Sequence, residues 1–272
     1  MIRRPPRSTQ GVSSAASDVY KRQALMDNYY IFVYSWIIIG AISFPFILKY
    51  GAPYGRHTSN NWGPLVDNKI AWIIMELPAL ILCPFIVFTS ENPVSDITKL
   101  FIVLWIIHYF NRSVIFPLRI KTKLKKMPLI IALLAFLFNV INGLVNGIYF
   151  SSIRYDYSIS WLSTPEFVIG ISLFVIGFYI NNKSDSYLIS LRKDNEKGYV
   201  IPKRGFFKYV SCPNFFGEIL EWLGFAIMTW SIAGLAFFLW TSPLPLPIVC
   251  LSLIHISEPT RLLSIGGALL CV

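Results

Sequence analysis

The strongest constraint in this sequence is a set of six long apolar runs, separated by short charged segments. The runs cover residues 29–48, 70–89, 100–118, 128–150, 167–180 and 215–240. A helical span needs about 20 mostly apolar residues to cross a bilayer, and lipid offers the backbone no hydrogen-bond partners. The runs therefore predict an all-α, polytopic membrane bundle of six to seven helices, because the last run is long enough to break near Gly224 or Ser231.

The composition excludes several other classes of protein. The 272 residues are 55% hydrophobic and only 14% charged, whereas soluble domains average about 25% charged residues. The formal net charge of +10 does not indicate nucleic-acid binding, because the cations lie between the apolar runs. The four cysteines form no CxxC pair and no metal-ligand spacing, so the sequence predicts no metal site and demands no disulfide framework.

The cations alternate between the loops. Three follow the first run, five follow the third and seven follow the fifth, whereas the two intervening loops hold one each, Lys99 and Arg154. Cytoplasmic loops of membrane proteins are enriched in Lys and Arg. We therefore expect the three basic loops to face the cytosol and the authentic N-terminus to lie on the other side.

Both ends of the chain differ in character from the middle. Residues 1–23 are rich in Arg and Ser, a composition that is also typical of a transit peptide. Residues 252–264 read SLIHISEPTRLLS, and both segments resemble translated sequencing-adapter read-through. We interpret residues 1–23 and 243–272 as non-native segments and residues 24–242 as one membrane-embedded domain.

Four polar side chains inside the spans are candidates for chemistry, because such groups are expensive in lipid and tend to face the bundle interior. Glu76 must be protonated, paired or hydrogen-bonded at mid-span, and a structural ion pair with a neighbouring helix is the alternative. His108, Tyr109 and Arg112 lie within about one turn of the third span. Arg112 could instead extend towards the basic loop, and His108 could be a satisfied core histidine. Together the acid, the phenol and the cation indicate a proton-donating pocket.

The loop at residues 181–214 mixes cations, aromatic residues and Asn or Asp side chains. This mixture suits an anionic, aromatic ligand such as a nucleotide, with arginine on the phosphate; membrane orientation or contact with anionic lipid would explain the same charges. The body of the chain contains no GxGxxG, GxxxxGKS/T, HExxH or GxSxG motif. A Rossmann domain, a P-loop ATPase and an α/β-hydrolase are therefore not expected.

Seven motifs together resemble the steroid 5-alpha-reductase family, also called the 3-oxo-5-alpha-steroid 4-dehydrogenases. They read YGAPYGRHT (50–58), AWIIMELP (71–78), HYFNRSVIFP (108–117), INGLVNGIY (141–149), INNKSDSYLISLRK (180–193), GYVIPKRGFFKYVSCPNFFGEILEWLGFA (198–226) and TWS (229–231). They cover most of residues 50–240, and the block at 198–226 is long and specific.

The resemblance implies a seven-helix membrane reductase that binds NADPH from the cytosolic side and reduces the 4,5 double bond of 3-oxo-4-ene steroids. By the same resemblance, Glu76 and Tyr109 form the catalytic pair that holds the 3-oxo oxygen. The implied cofactor-binding residues are Arg112, Asn181, Asp185, Arg192, Tyr199, Asn214, Glu218 and Trp222. A steroid or similar lipid enone is the expected substrate, with no metal, and the expected location is the endoplasmic reticulum of a eukaryote or the inner membrane of a bacterium.

The sequence departs from the family pattern after the TWS motif. Family members continue into a tail with an Asn-Leu-x-Pro-Arg motif, whereas this chain reads TSPLPLPIVCLSLIHISEPT, so we interpret it as C-terminally truncated and lacking part of the cofactor site. Whether such a chain is active stays open. Two further alternatives are a related reductase of polyprenol or enoyl-thioester substrates, and a transporter with Glu76 as its coupling acid. The sequence lacks the internal repeats that a transporter predicts.

Overall fold

A computed structural model of the chain describes residues 7–50, 63–121, 126–191, 202 and 204–242. Its helices are α1 Arg7–Tyr50, α2 Asn68–Phe88, α3 Asp96–Phe110, α4 Phe116–Arg119, α5 Leu129–Ile148, α6 Pro165–Leu191, α7 Pro213–Thr229 and α8 Ile232–Thr241. The shorter elements are strands β1 Leu65–Asp67 and β2 Lys126–Pro128, π-helical turns Asn111–Ile115 and Tyr149–Ile153, and 3-10 turns Ile159–Ser163 and Gly205–Lys208.

Five stretches of these helices are long and apolar enough to cross a membrane. They are Val19–Ser43, Asn68–Phe88, Asp96–Arg119, Leu129–Ile153 and Pro165–Leu191. Many of their outward-facing Ile, Leu, Val and Phe side chains are exposed, as expected where lipid rather than water is the solvent. The chain is a multi-pass membrane protein, and the predicted all-α fold class is confirmed.

The fifth apolar run extends further than the sequence indicated. α6 is 27 residues long and ends at Leu191, so its last turns are helical where we expected the start of a loop. Polar side chains fit there because they bond to carbonyls one turn back. Ser184 Oγ donates to the Ile180 carbonyl and Ser186 Oγ donates to the Asn182 carbonyl, both at 2.6 Å.

The sixth apolar run breaks into α7 and α8, as predicted, and it breaks at Ser231 rather than at Gly224. Trp230 ends α7 with a φ of 45°, in the left-handed region that residues other than glycine rarely adopt. The Ser231 hydroxyl then accepts the Gly234 N–H at 2.9 Å. This is an N-cap bond, and it fixes the start of α8.

Two aromatic side chains satisfy the last carbonyls of α7. Tyr157 Oη donates to the Thr229 carbonyl at 2.6 Å, and Trp161 Nε1 donates to the Met228 carbonyl at 2.8 Å. Burial raises the pKa of the Tyr157 phenol well above its usual value, so its hydroxyl stays a donor at ordinary pH. We call this C-terminal end of α7 the closed end.

α6 and α7 touch each other through backbone atoms along four glycines, which we call the glycine seam. Gly170 faces Gly224, and Gly177 faces Gly217. A Cβ added at Gly217 would lie 2.5 Å from the backbone nitrogen of Asn181. Small residues of this kind let membrane helices approach closely, and here they fix the register of the polar residues that follow on both helices.

The segments beside the three basic loops lie at one end of the bundle. β1 and β2, which flank the first and second of these loops, pair antiparallel, with Val66 opposite Met127. Beside the third loop, Arg119 Nη2 donates to Ser186 Oγ on α6 at 2.8 Å. This agrees with the alternation of the cations, whereas the side of the membrane that this end faces stays a prediction.

The π-helical turn Asn111–Ile115 interrupts the third span. Pro117 lacks an N–H and cannot bond to the carbonyl four residues back, at Ser113. The helical hydrogen-bond pattern changes one residue earlier, where the Phe116 N–H donates to the carbonyl five residues back, at Asn111. Single π-helical turns of this kind occur frequently at functional sites.

The assignment of residues 1–23 and 243–272 as non-native segments stays a prediction. α1 includes residues 7–23, and within them Arg22 Nη2 donates to the Tyr155 hydroxyl at 3.3 Å. Residues 243–272 lie outside the described part of the chain.

Candidate active site

Arg112 lies at the centre of a cluster of three carboxylates. Its guanidinium nitrogens lie 3.9 Å from Glu76 Oε1, 3.8 Å from Asp185 Oδ2 and 3.6 Å from Glu218 Oε2. The Arg112 side chain is only 12% exposed. These distances exceed the usual 2.7–2.9 Å of a charge-assisted hydrogen bond, so the three acids lie around the cation without forming direct hydrogen bonds to it.

Four helical segments bring these charges together. Glu76 comes from α2, Asp185 from α6 and Glu218 from α7, while Arg112 sits in the π-helical turn after α3. The guanidinium also lies 4.6 Å from the centre of the Trp72 ring, close enough for a cation–π interaction. Arg112 is thus held within the bundle rather than extended to the basic loop.

Asparagines join α6 to the start of α7 beside this cluster. Asn181 Nδ2 donates to the Asn214 carbonyl at 3.0 Å, and Asn214 Nδ2 donates to Asp185 Oδ1 at 3.2 Å. Asn214 Oδ1 is buried, and no described residue forms a hydrogen bond with it. The start of α7 therefore presents a spare acceptor next to Asp185.

Tyr109 lies deeper, in an enclosure of rings, with a side chain that is fully buried. The centres of the Trp105, Trp222 and Phe237 rings are 4.8, 5.8 and 6.4 Å from the Tyr109 ring. Its hydroxyl donates to Asn139 Oδ1 on α5 at 3.4 Å. Such an enclosure excludes water and strengthens any hydrogen bond that the phenol makes.

One side chain connects Tyr109 with Glu76. Asn139 Nδ2 lies 3.3 Å from Glu76 Oε2, while its Oδ1 accepts the Tyr109 hydroxyl. This connection was not predictable from the sequence, because a single polar residue in an apolar run does not reveal which neighbouring helix it contacts. The only signal was that Asn139 interrupts an apolar span.

A second buried pair was also missed. His108 Nδ1 lies 2.8 Å from Glu221 Oε1, and Glu221 is completely buried. The other carboxyl oxygen, Oε2, has no hydrogen-bond partner within the described part of the chain. Glu221 is adjacent to Trp222, whose ring contacts His108 edge-on at 4.4 Å. His108 is therefore satisfied by a neighbouring helix, which is one of the two interpretations that the sequence left open.

The residues implied by the resemblance fall into two adjoining groups. Glu76, Arg112, Asn181, Asp185, Asn214 and Glu218 form the polar cluster, and Tyr109 and Trp222 belong to the ring enclosure. Arg192 and Tyr199 lie outside the described residues. Within the described residues there is no group of three or more His, Cys, Asp or Glu side chains that could hold a metal ion.

Comparisons with known proteins give one consistent result. A sequence model of the family described as 3-oxo-5-alpha-steroid 4-dehydrogenase matches residues 125–247. The chain is 44% identical to a steroid 5-alpha-reductase of Arabidopsis thaliana over 70% of this chain and 74% of the relative. It is 39% identical to a steroid 5-alpha-reductase of Gossypium hirsutum over 78% and 80% of the two chains. It is 37% identical to 3-oxo-5-alpha-steroid 4-dehydrogenase 1 of Bos taurus over 75% and 80%.

Proposed function

The chain belongs to the 3-oxo-5-alpha-steroid 4-dehydrogenase family, and we propose that it is an NADPH-dependent reductase of the 4,5 double bond of 3-oxo-4-ene steroids. The observation that supports this most directly is the link between Glu76 and Tyr109. The two side chains come from different helices, share Asn139, and border an enclosure of rings. An apolar, flat substrate with one ketone oxygen suits such a site.

The proposed role of Tyr109 follows from the charge that develops during the reaction. Adding a hydride to the β-carbon of an enone builds negative charge on the carbonyl oxygen, and the resulting enolate then takes a proton, ultimately from water, at its α-carbon. A donor that is already oriented in a dry site stabilises this charge far better than water does. Tyr109 donates its O–H to the ketone oxygen, and Glu76, through the amide of Asn139, keeps the phenol oriented towards the same point.

The polar cluster fits one end of NADPH better than the other. Three carboxylates around a single guanidinium leave an excess of negative charge, which disfavours a phosphate. The same carboxylates can accept hydrogen bonds from the hydroxyls of a ribose and from the nicotinamide carboxamide. They also favour the positive charge of the oxidised nicotinamide ring. The spare acceptor on Asn214 points to the same class of donors. NADPH, when bound, supplies the hydride.

The phosphates of NADPH then need cations outside this cluster. The sequence provides Arg192, Lys193, Lys203 and Arg204 in the segment between α6 and α7. Arg204 is exposed, and the other three lie outside the described residues. We propose that this segment holds the phosphates while Arg112, Asp185 and Glu218 hold the nicotinamide riboside.

The proposed compartment follows the same reasoning. A steroid partitions into lipid, so an enclosure within a multi-pass bundle receives its substrate from the bilayer. We assign the chain to the endoplasmic reticulum membrane if its source is a eukaryote and to the inner membrane if it is a bacterium.

The test is turnover by membranes that contain the full 272-residue chain. We expect NADPH, and NADH far less, to support loss of the enone chromophore of a 4-ene-3-oxo steroid, with a product two mass units heavier. The Tyr109→Phe and Glu76→Gln variants should each lower kcat about a hundredfold, because one oriented donor lowers the activation barrier by roughly 3 kcal/mol.

The matched control is Tyr157→Phe, which removes another buried hydroxyl at the closed end and should leave kcat within about twofold. If Tyr109→Phe and Glu76→Gln both turn over the steroid at the rate of the unaltered chain, the catalytic assignment is wrong. Turnover of an enoyl thioester or a polyprenol, with none of the steroid, would favour the related reductases instead.

A further inference from the structure

We infer that Asn139 is a positioning residue, whose amide directs the Tyr109 hydroxyl and the Glu76 carboxyl towards one point. This inference rests on the proposed function for its catalytic meaning, although the contacts themselves do not depend on it. Asn139 is 5% exposed and lies on α5, facing α2 and α3. Among the described residues, it forms hydrogen bonds with the Met75 carbonyl, Glu76 Oε2 and the Tyr109 hydroxyl.

The Met75 carbonyl fixes which way the amide points. Asn139 Nδ2 lies 2.7 Å from this carbonyl oxygen, and a carbonyl can only accept. The amide nitrogen must therefore face α2, where its second hydrogen reaches Glu76 Oε2 at 3.3 Å. The amide oxygen is left facing α3, and in that direction the Tyr109 hydroxyl is the group that donates to it.

The Tyr109 hydrogen consequently has a defined direction before any substrate arrives. Its bond to Asn139 Oδ1 is 3.4 Å long, beyond the usual 2.5–3.0 Å of an O–H···O bond. A ketone oxygen that enters beside Oδ1 can accept the Tyr109 hydrogen bond in its place, at little cost in free energy. Without the amide, a phenol enclosed by Trp105, Trp222 and Phe237 would rotate its hydrogen freely and lose this orientation.

The amide also sets what Glu76 can do. Nδ2 donates to Oε2, whereas Oε1 lies on the side of the carboxyl that faces Arg112 Nε, at 3.9 Å. One side chain thus orients the phenol and distinguishes the two oxygens of the acid. Neither effect requires Asn139 to touch the substrate.

Asn142 offers a matched control on the same helix. It is also buried, but its Nδ2 donates to the Phe138 carbonyl at 2.7 Å, within α5 itself. Asn139→Leu and Asn142→Leu therefore remove the same chemical group, at neighbouring positions, with and without contacts to the catalytic pair. We expect Asn139→Leu to lower kcat roughly 10- to 100-fold, at unchanged KM for NADPH, and Asn142→Leu to leave kcat within about twofold.

A double-mutant cycle separates positioning from packing. If Asn139 acts through the phenol, the loss caused by Asn139→Leu should be several-fold smaller in the Tyr109→Phe background than in the unaltered chain. The same shrinkage is expected in the Glu76→Gln background. Losses that multiply fully in both backgrounds would overturn the inference, because they would show an effect that does not pass through either partner.

A measurement without substrate keeps this result distinct from failure of the proposed function. Thermal unfolding in detergent should show that Asn139→Leu lowers the Tm less in the Tyr109→Phe background than in the unaltered chain. Strictly additive Tm shifts would overturn the inference whatever the substrate is. If no 4-ene-3-oxo steroid is turned over and the Tm shifts are nonetheless coupled, the proposed function fails and the Asn139 link stands.

Discussion

The two ends of α7 differ in how completely their buried polar groups are hydrogen-bonded. At the closed end, Tyr157 and Trp161 satisfy the last carbonyls of the helix at 2.6 and 2.8 Å. In the first two turns of α7, Glu218 stays 3.6 Å from its cation, and Asn214 Oδ1 has no hydrogen-bond partner among the described residues. Buried polar groups are nearly always paired, and the difference fits our proposal that one end serves stability and the other binds the cofactor.

The largest effect on this comparison should come from Arg112→Met. Removing the cation leaves three carboxylates facing one another inside the bundle, and breaking a buried ion pair in this way typically destabilises by 3–5 kcal/mol. We expect the free energy of unfolding to fall by about 4 kcal/mol, measured by thermal or denaturant melts in detergent.

Arg154→Met is the control near the closed end. The Arg154 guanidinium lies over the Tyr157 and Trp161 rings at 4.3 and 4.7 Å, a cation–π contact that contributes only about 0.5–1 kcal/mol where it is partly exposed. Equal losses for the two arginine variants would contradict the distinction between the ends.

The glycine seam should give the next largest effect. A Cβ at Gly177 would lie 2.5 Å from the Gly217 carbonyl oxygen, and backbone cannot move aside as a flexible side chain can. Overpacking of this kind destabilises by about 1–3 kcal/mol, so Gly177→Ala should lower the free energy of unfolding by about 3 kcal/mol. It should also lower kcat/KM for NADPH, because Asp185 and Asn214 would separate.

Gly170→Ala tests the same seam nearer the closed end. Its added Cβ would lie 2.7 Å from the Gly224 carbonyl oxygen, so we expect a similar loss of stability. Turnover per folded molecule should hold, because the polar cluster is at the other end of α6. If Gly170→Ala impairs NADPH binding as much as Gly177→Ala does, the seam does not set the cluster locally.

Tyr157→Phe should have a smaller effect, confined to stability. It leaves the Thr229 carbonyl buried without its donor, which costs about 1–3 kcal/mol. We expect a loss of about 1.5 kcal/mol in unfolding experiments, with steroid turnover unchanged. A fall in kcat of tenfold or more would mean that the closed end also takes part in the chemistry.

The smallest effect, and a gain, is expected from Trp230→Asn. A φ of 45° strains a bulky residue, whereas Asn tolerates the left-handed region. The Trp230 side chain is 62% exposed, so little packing is lost, and the free energy of unfolding should rise by up to about 1 kcal/mol. Trp230→Phe keeps the backbone preference and should give no gain; a gain there would exclude relief of strain as the cause.

Much of the fold was predictable because hydropathy is a local property. The runs ending near Thr89 and Leu118 correspond to helices in the structure, and the break at Ser231 was one of two predicted positions. The end of α6 was not predictable. Ser184 and Ser186 donate hydrogen bonds to carbonyls of their own helix, and the sequence around them is equally compatible with a loop.

The site was predictable only as far as the resemblance and single residues could show. Glu76, Tyr109 and Arg112 stood out because ionisable and polar groups are rare inside apolar runs. The partners that hold them, Asn139 and Glu221, depend on which faces of distant helices meet. Packing across the bundle decides which helix faces meet, and these contacts cannot be deduced from a single sequence.

The π-helical turn at Asn111–Ile115 has a consequence for how this bundle tolerates change in length. A π-helical turn contains one residue more than the regular helix it replaces, and each residue of a helix advances the chain by about 100°. Deleting one residue there would leave a regular helical turn, so Phe116 would still face Trp72, 5.4 Å distant, and Arg119 would still face Ser186. A single codon lost at this point would therefore preserve the helix face beyond it, whereas the same loss in the regular part of α3 would rotate that face by about 100°.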